Sequence, residues 1–171
     1  YDVEEGTNPG FLYQQNTMRD AIVAACNLNI FNNHSDKVVM ANLAQAVNVL
    51  QALILTEGEK MVKTPTYHVF DLFKTHQGGE LCYSYANNCQ AGGKIPMISQ
   101  CSIDDDAHIC CDIAGENYQN IECRILDNEV RDYNDFDNCD KVAPKEYSAK
   151  MTEKGFEIDL PKCSVVVVTM R

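Results

Sequence analysis

The stretch from Asp36 to Leu55, DKVVMANLAQAVNVLQALIL, restricts the possible fold more than any other part of the chain. Beyond its first two residues it holds no charge, no Gly and no Pro, and its strongly polar side chains are four amides: Asn42, Gln45, Asn48 and Gln51. A run this apolar is either a buried helix carrying an amide stripe or a parallel strand covered on both faces, and periodicity leaves both open. The amides need partners, because an unpaired buried amide costs roughly 1–3 kcal/mol. Neighbouring backbone can supply them. So can a neutral polyhydroxy ligand such as a sugar, since each amide both donates and accepts.

The 171 residues suffice for one domain or two small ones. A formal net charge of −11 without any basic cluster argues against nucleic acid and against anionic membranes as partners. No apolar run reaches the length of a membrane span, since Thr56-Glu57 ends the longest one. No leader peptide is visible at the Tyr1 start. The nine cysteines are odd in number and contain no C-x-x-C pair. They read as reduced thiols of a reducing, cytoplasmic compartment rather than as a disulfide framework. His108-Ile109-Cys110-Cys111 has residue types that bind metals, but no second half-site at ligand spacing accompanies it, so neither metal nor cofactor is expected.

Along the chain, Tyr1–Gly10 is loop-like, with turn chemistry at Asn8-Pro9-Gly10. Asn16 or Thr17 is positioned to cap a helix running to about Phe31, with Ala21, Ile22, Ala25, Cys26, Leu28 and Ile30 on its apolar face. Asn33-His34-Ser35 matches a glycosylation sequon, a three-residue pattern that chance often supplies. After the amide-bearing run, Thr56–Lys60 turns the chain. Thr64-Pro65-Thr66 opens a second helix reaching His76, and Gln77-Gly78-Gly79 marks a domain boundary.

Beyond Gly79 the period changes. Leu81–Ala86, Met97–Ile103, His108–Ile113, Asn120–Leu126, Tyr147–Met151, Phe156–Leu160 and Ser164–Met170 are short strand-type runs. Turn signals separate them at Gly92-Gly93, Asp104–Asp106, Gly115–Asn117 and Asp127-Asn128, which predicts an antiparallel sandwich. The triple Asp lacks the Gly and terminal Glu of a calcium loop and reads as a solvated hairpin tip. Arg131–Lys145 is acidic and irregular and reads as a long loop. The expected fold is therefore α+β: the last β/α units of a (β/α)8 barrel over residues 1–78, then a jelly-roll-like antiparallel β-sandwich over 79–171.

The runs NPGFLYQQNT, VVMANLAQAVNVLQA and EGEKMV-TPTYHVF, together with VAPKEYSAKMTEKGFEIDLPKCSVVVV near the end, resemble the carboxy-terminal part of glycoside hydrolase family 51, the α-L-arabinofuranosidases. That resemblance implies retaining hydrolysis by two glutamates roughly 5–5.5 Å apart, one acid/base and one nucleophile, at the ends of barrel strands four and seven. Both are expected before Tyr1, so no catalytic residue is expected in this chain and the chain alone should be inactive. The resemblance also implies that residues near Met18–Phe31 form the seventh barrel helix, Val38–Gln45 strand eight, and Thr66–His76 the last helix. Strand eight then ends at Gln45 on the carboxyl face where barrel active sites lie. Gln45 takes the family's role of hydrogen-bonding the arabinofuranose in the −1 subsite. Asn42, Asn48, Tyr1, Asp2 and Glu4 lie around it, with Asn42 and Asn48 equally able to bond barrel backbone.

The expected partner is an arabinose-containing oligo- or polysaccharide, and members of the family commonly assemble as homo-oligomers. Glu57 and Glu59, at i and i+2 in a turn, read as surface or rim residues rather than a catalytic pair. His34, His68 and His76 have no evident nucleophile or metal partner. The competing class is a non-catalytic sandwich that binds carbohydrate or protein. Against it, the chain has no Trp, and Tyr83, Tyr85, Tyr118 and Tyr133 form no stripe. Appreciable sugar affinity in residues from Gly79 onward would favour it.

Overall fold

Helix α1 (Met18–Asn33) opens the part of the computed structural model that is described, which comprises residues 15–43, 46–81, 97–114 and 118–171. Thr17 precedes the helix in extended conformation, and the Asp20 carboxylate accepts from Thr17 N (2.8 Å) and Thr17 Oγ1 (3.1 Å). That carboxylate also sits in the first turn, where the helix dipole favours an anion. The first-turn N–H groups of Met18 and Arg19 donate to Asp132 O (2.8 Å) and Val130 O (2.9 Å). The acidic segment read as a plain loop therefore serves as backbone cap for α1.

Strands β1 (Ile54–Glu57) and β2 (Lys60–Lys63) form a two-residue hairpin around Gly58-Glu59, pairing Leu55 with Val62 and Glu57 with Lys60. Gly58 takes a φ of +59°, the left-handed conformation that makes glycine the default at such a turn. Helix α2 (Pro65–Phe73) follows at once, with Thr64 Oγ1 accepting from Tyr67 N (3.3 Å) and Pro65 in the first turn. Its last turn tightens into a 3₁₀ turn, Lys74–His76.

The remaining strands are β3 (Met97–Gln100), β4 (Ala107–Asp112), β5 (Ile121–Asp127), β6 (Lys145–Tyr147), β7 (Lys150–Thr152), β8 (Gly155–Leu160) and β9 (Ser164–Met170). They form two antiparallel sheets, ordered β3-β9-β5-β6 and β4-β8-β7. One core lies between the sheets, where Cys123, Ile125, Val166 and Val168 meet Phe156, Ile158 and Leu160. A second core lies on the other face of the first sheet. There Leu126, Val165 and Val167 meet Met18, Ala21, Ile22 and Ala25 of α1, Val69, Leu72 and Phe73 of α2, and Val142. The order is thus helices, sheet, sheet, and the helices share a core with the sheet across Gly79. Strand β9 is buried on both faces, which is why its sequence SVVVV lacks polar alternation.

Several expectations change. Among the described residues Asp36–Leu55 forms neither a helix nor a barrel strand until β1 begins at Ile54. Asn48 and Gln51 hold φ values of +52° and +60°, which no right-handed helix contains. Val38–Leu43 is irregular, with Val39 93% and Met40 73% exposed, because a parallel strand needs neighbours and no described segment pairs with it. Asp104–Asp106 is not a hairpin tip. It carries the chain from β3 in one sheet to β4 in the other, anchored by Ser102 Oγ accepting from Asp104 N (3.3 Å) and Asp105 N (3.0 Å). The run Tyr147–Met151 divides at Ser148-Ala149 into β6 and β7, one in each sheet, because the chain turns a sandwich corner there. The expected loop at Tyr1–Gly10, the strand residues 82–86, and the turns at Gly92-Gly93 and Gly115–Asn117 lie outside the described residues.

Candidate functional site

Of the residues expected around the sugar, Asn42 and Asn48 are described, whereas Gln45, Tyr1, Asp2 and Glu4 lie outside the described residues. Asn42 is exposed and follows the exposed Val39 and Met40. Asn48 sits in a reverse turn that Leu53 N and Ile54 N close by donating to Ala46 O (3.0 Å each). Its Nδ2 donates to Thr56 O (3.1 Å) and Thr56 Oγ1 (2.9 Å), while its Oδ1 accepts from Thr56 N (2.7 Å). Both amide donors are thus engaged, and one acceptor lone pair is left over. This is the backbone answer to the partner question, and it gives Asn48 the task of shaping the turn that follows position 45.

A polar network fixes that turn against both helices. Gln51 Nε2 donates to Asp20 Oδ1 (3.0 Å), and Asn16 Nδ2 donates to Gln51 Oε1 (3.1 Å) and Thr66 Oγ1 (2.8 Å). Asn16 Oδ1 in turn accepts from Thr66 N (3.2 Å). Asn16, Asp20 and Thr66 are buried, so these bonds act in a low-dielectric interior where each matters more. They also hold Gln51 in its left-handed conformation, a strain that persists only where the surroundings impose it. The sequence signal for the network was slight: polar residues at the two helix starts, 50 positions apart, whose meeting no local pattern announces.

Glu57 and Glu59 are both exposed on the β1–β2 hairpin, as expected of surface residues. His34 is exposed, and His76 Nδ1 lies 3.2 Å from Phe73 O. His68 is buried, and its Nε2 has no hydrogen-bond partner among the described residues. Burial, with the Lys63 charge second, holds its imidazole below the ordinary 6.5, so it is a neutral helix residue. His108, Cys110 and Asp159 form a chain that sequence reading missed: His108 Nδ1 to Asp159 Oδ1 is 2.7 Å and Cys110 Sγ to His108 Nε2 is 3.5 Å. Register brings His108 opposite Asp159, and all three stand exposed on the outer face of the second sheet. Neither this trio nor any other group of three or more His, Cys, Asp or Glu side chains among the described residues is placed to hold a metal ion. Tyr133 bridges to Thr17 at the start of α1, whereas Tyr118 lines a small pocket with Met151 and Met170, so these two form no joint platform.

The sequence model of the family described as "Alpha-L-arabinofuranosidase C-terminal domain" matches residues 1–164. An "Intracellular exo-alpha-L-arabinofuranosidase" of Bacteroides ovatus is 33% identical over all of this chain, which spans 38% of that relative's length. The crystal structure of the GH51 arabinofuranosidase from Xanthomonas axonopodis pv. citri superimposes over all of this chain and 39% of its own, with a TM-score of 0.83 and 34% identity. An α-L-arabinofuranosidase from Thermotoga maritima, solved as an arabinose complex, shares the fold at 21% identity and a TM-score of 0.78, over 96% of this chain and 41% of its own.

Proposed function

The chain belongs to the α-L-arabinofuranosidase C-terminal domain family, and from that premise we propose that it is the carboxy-terminal part of a retaining glycoside hydrolase releasing terminal α-L-arabinofuranosyl groups from arabinan- or arabinoxylan-type saccharides. The observation that carries this reading is whole-chain similarity, in sequence and in fold, to arabinofuranosidases of which the chain spans 38–39%. The acid/base and nucleophile glutamates then belong to the remainder of the protein. This chain contributes Gln45 as a hydrogen-bonding residue for the arabinofuranose, with Asn42, Tyr1, Asp2 and Glu4 near it.

The exposed Val39, Met40 and Val47 support the reading. Exposed apolar side chains beside an irregular segment suit a strand whose neighbours lie elsewhere in the protein, so Val38–Gln45 becomes barrel strand eight when flanked by them. Asn48 contributes by shaping the turn after Gln45, leaving its spare acceptor as its one means of touching a ligand. The free thiols among the described residues and the "intracellular" relative favour a cytoplasmic enzyme, and homo-oligomeric assembly is part of the same proposal.

The test uses the full-length protein. Gln45→Ala should lower kcat/KM by roughly 5- to 150-fold, the equivalent of one buried hydrogen bond of about 1–3 kcal/mol. An unchanged kcat/KM removes Gln45 from the site. Turnover of an aryl α-L-arabinofuranoside by residues 1–171 alone would overturn the assignment of both glutamates to the remainder.

A further inference from the structure

We propose that Cys26 and Cys101 form a dithiol site that a small-molecule disulfide oxidises to an intramolecular cross-link, tying α1 to the chain just beyond β3. The two sulfurs are 3.4 Å apart although 75 positions separate them in sequence. A disulfide needs about 2.05 Å, so closure asks for roughly 1.4 Å of approach shared between two side chains.

The backbones that carry them are held on either side. Cys26 lies within α1, half-buried against the helix–sheet core. One turn further on, Asn29 Nδ2 donates to Ser99 Oγ (3.3 Å), so the helix meets β3 there and the chain just beyond it at Cys101. Before Cys101, Gln100 pairs with Ser164, and after it Cys163 N donates to Ser102 O (2.9 Å).

Accessibility sets the order of events. Cys101 is exposed, so its thiolate attacks one sulfur of the oxidant RSSR, the oxidant's S–S bond breaks, and RS⁻ leaves and takes up the thiol proton. Cys26 is the resolving thiol. Burial and the neighbouring Cys101 push it up to about 11, which keeps it protonated until the mixed disulfide stands beside it. It then loses its proton, its sulfur attacks Cys101 Sγ, and the second RS⁻ is expelled. In sum, two thiols and RSSR become one protein disulfide and two RSH, with two electrons passing to the oxidant. The ring so formed encloses residues 27–100 and with them the candidate sugar-contact segment.

Two other exposed thiols serve as internal controls. Cys110 Sγ contacts His108 Nε2 (3.5 Å) and Cys139 Sγ contacts Asp140 Oδ2 (3.5 Å), rather than a described sulfur. The experiment treats the full-length protein with graded 2-hydroxyethyl disulfide, an uncharged oxidant that surface charge does not bias, then quenches with acid and maps peptides by mass. The expected product is a Cys26–Cys101 linked peptide short of two hydrogens, while Cys110 and Cys139 carry mixed disulfides. The link should reach half-formation at an oxidant concentration roughly tenfold or more below theirs, because the second step is intramolecular. The oxidised protein should melt several degrees higher, and dithiothreitol should reverse the shift. Cys101→Ser should abolish both effects, and Cys26→Ala should leave a stable mixed disulfide on Cys101. A mixed disulfide accumulating on Cys101 of the unaltered chain, or a link from Cys101 to another cysteine, overturns the proposal.

Discussion

Replacing Asn134 with Ala removes three hydrogen bonds at one buried point. Asn134 is 1% exposed, and its Nδ2 donates to Lys63 O (2.9 Å) and Val142 O (2.8 Å) while its Oδ1 accepts from Val142 N (2.7 Å). It thereby joins the end of β2 to the acidic segment whose carbonyls cap α1 and whose Val142 fills the helix–sheet core. At about 1 kcal/mol net per bond the loss is about 3 kcal/mol. Val142 is fully buried, so water does not replace its lost partners, and the cost rises to about 4–5 kcal/mol. For a chain of this length that lowers Tm by roughly 10–15 °C. Urea unfolding followed by far-ultraviolet circular dichroism reads the loss, and hydrogen exchange at the Val142 amide reads its location. Asn134→Asp keeps the acceptor but loses both donations and buries a charge, so it should cost as much or more. A loss below about 1 kcal/mol, with Val142 still protected, would refute the claim that this side chain pins the segment.

Two further outcomes are expected. Gly155→Ala would place a Cβ 2.1 Å from the Cys111 carbonyl oxygen, so β4 and β8 must shift apart, costing about 2–3 kcal/mol by denaturant titration; wild-type stability would contradict that contact. The depressed imidazole of His68 makes stability pH-dependent: between its folded value and 6.5 the unfolded chain binds more protons, so this contribution is fully present above 6.5 and declines as pH falls through the folded value. Asp71, held down mainly by its hydrogen bond from Lys74, and Asp135, held down by the backbone N–H groups of Asn138 and Asp137, add their losses below their ordinary 3.8. His68→Gln should therefore flatten the decline in urea midpoint below pH 6.5 and above the carboxylate range, and an unaltered slope there would remove His68 as its cause.

Much of the secondary structure was legible because its causes are local. Asn16-Thr17, and Thr64-Pro65, mark the two helix starts within a few residues of where the helices begin. Apart from Tyr147–Met151, which divides into β6 and β7, the strand runs from Ala107 to Met170 hold their places within one residue. The β1–β2 hairpin was less visible, since Thr56–Lys60 read as a bare turn and its flanks were absorbed into the apolar run and the approach to α2. The candidate sugar-contact residues were named only through the resemblance of their motif, and of them the described residues include Asn42 and Asn48. Asn48 and Gln51 looked like equivalent amides, yet one closes a turn on Thr56 and the other joins a network reaching Asn16 and Asp20.

The amino-acid sequence by itself determined where the two helices and most of the strands beyond Ala107 start and stop, and to which family the chain belongs, because caps, turns and side-chain period act between residues a few positions apart. Only the tertiary structure decided which sheet each strand joins, that the acidic segment caps α1, that α1 and α2 share a core with β5 and β9, and that Cys26 meets Cys101. Those outcomes depend on surfaces brought together from positions tens of residues apart, and the burial that selects them exists only once the layers have packed.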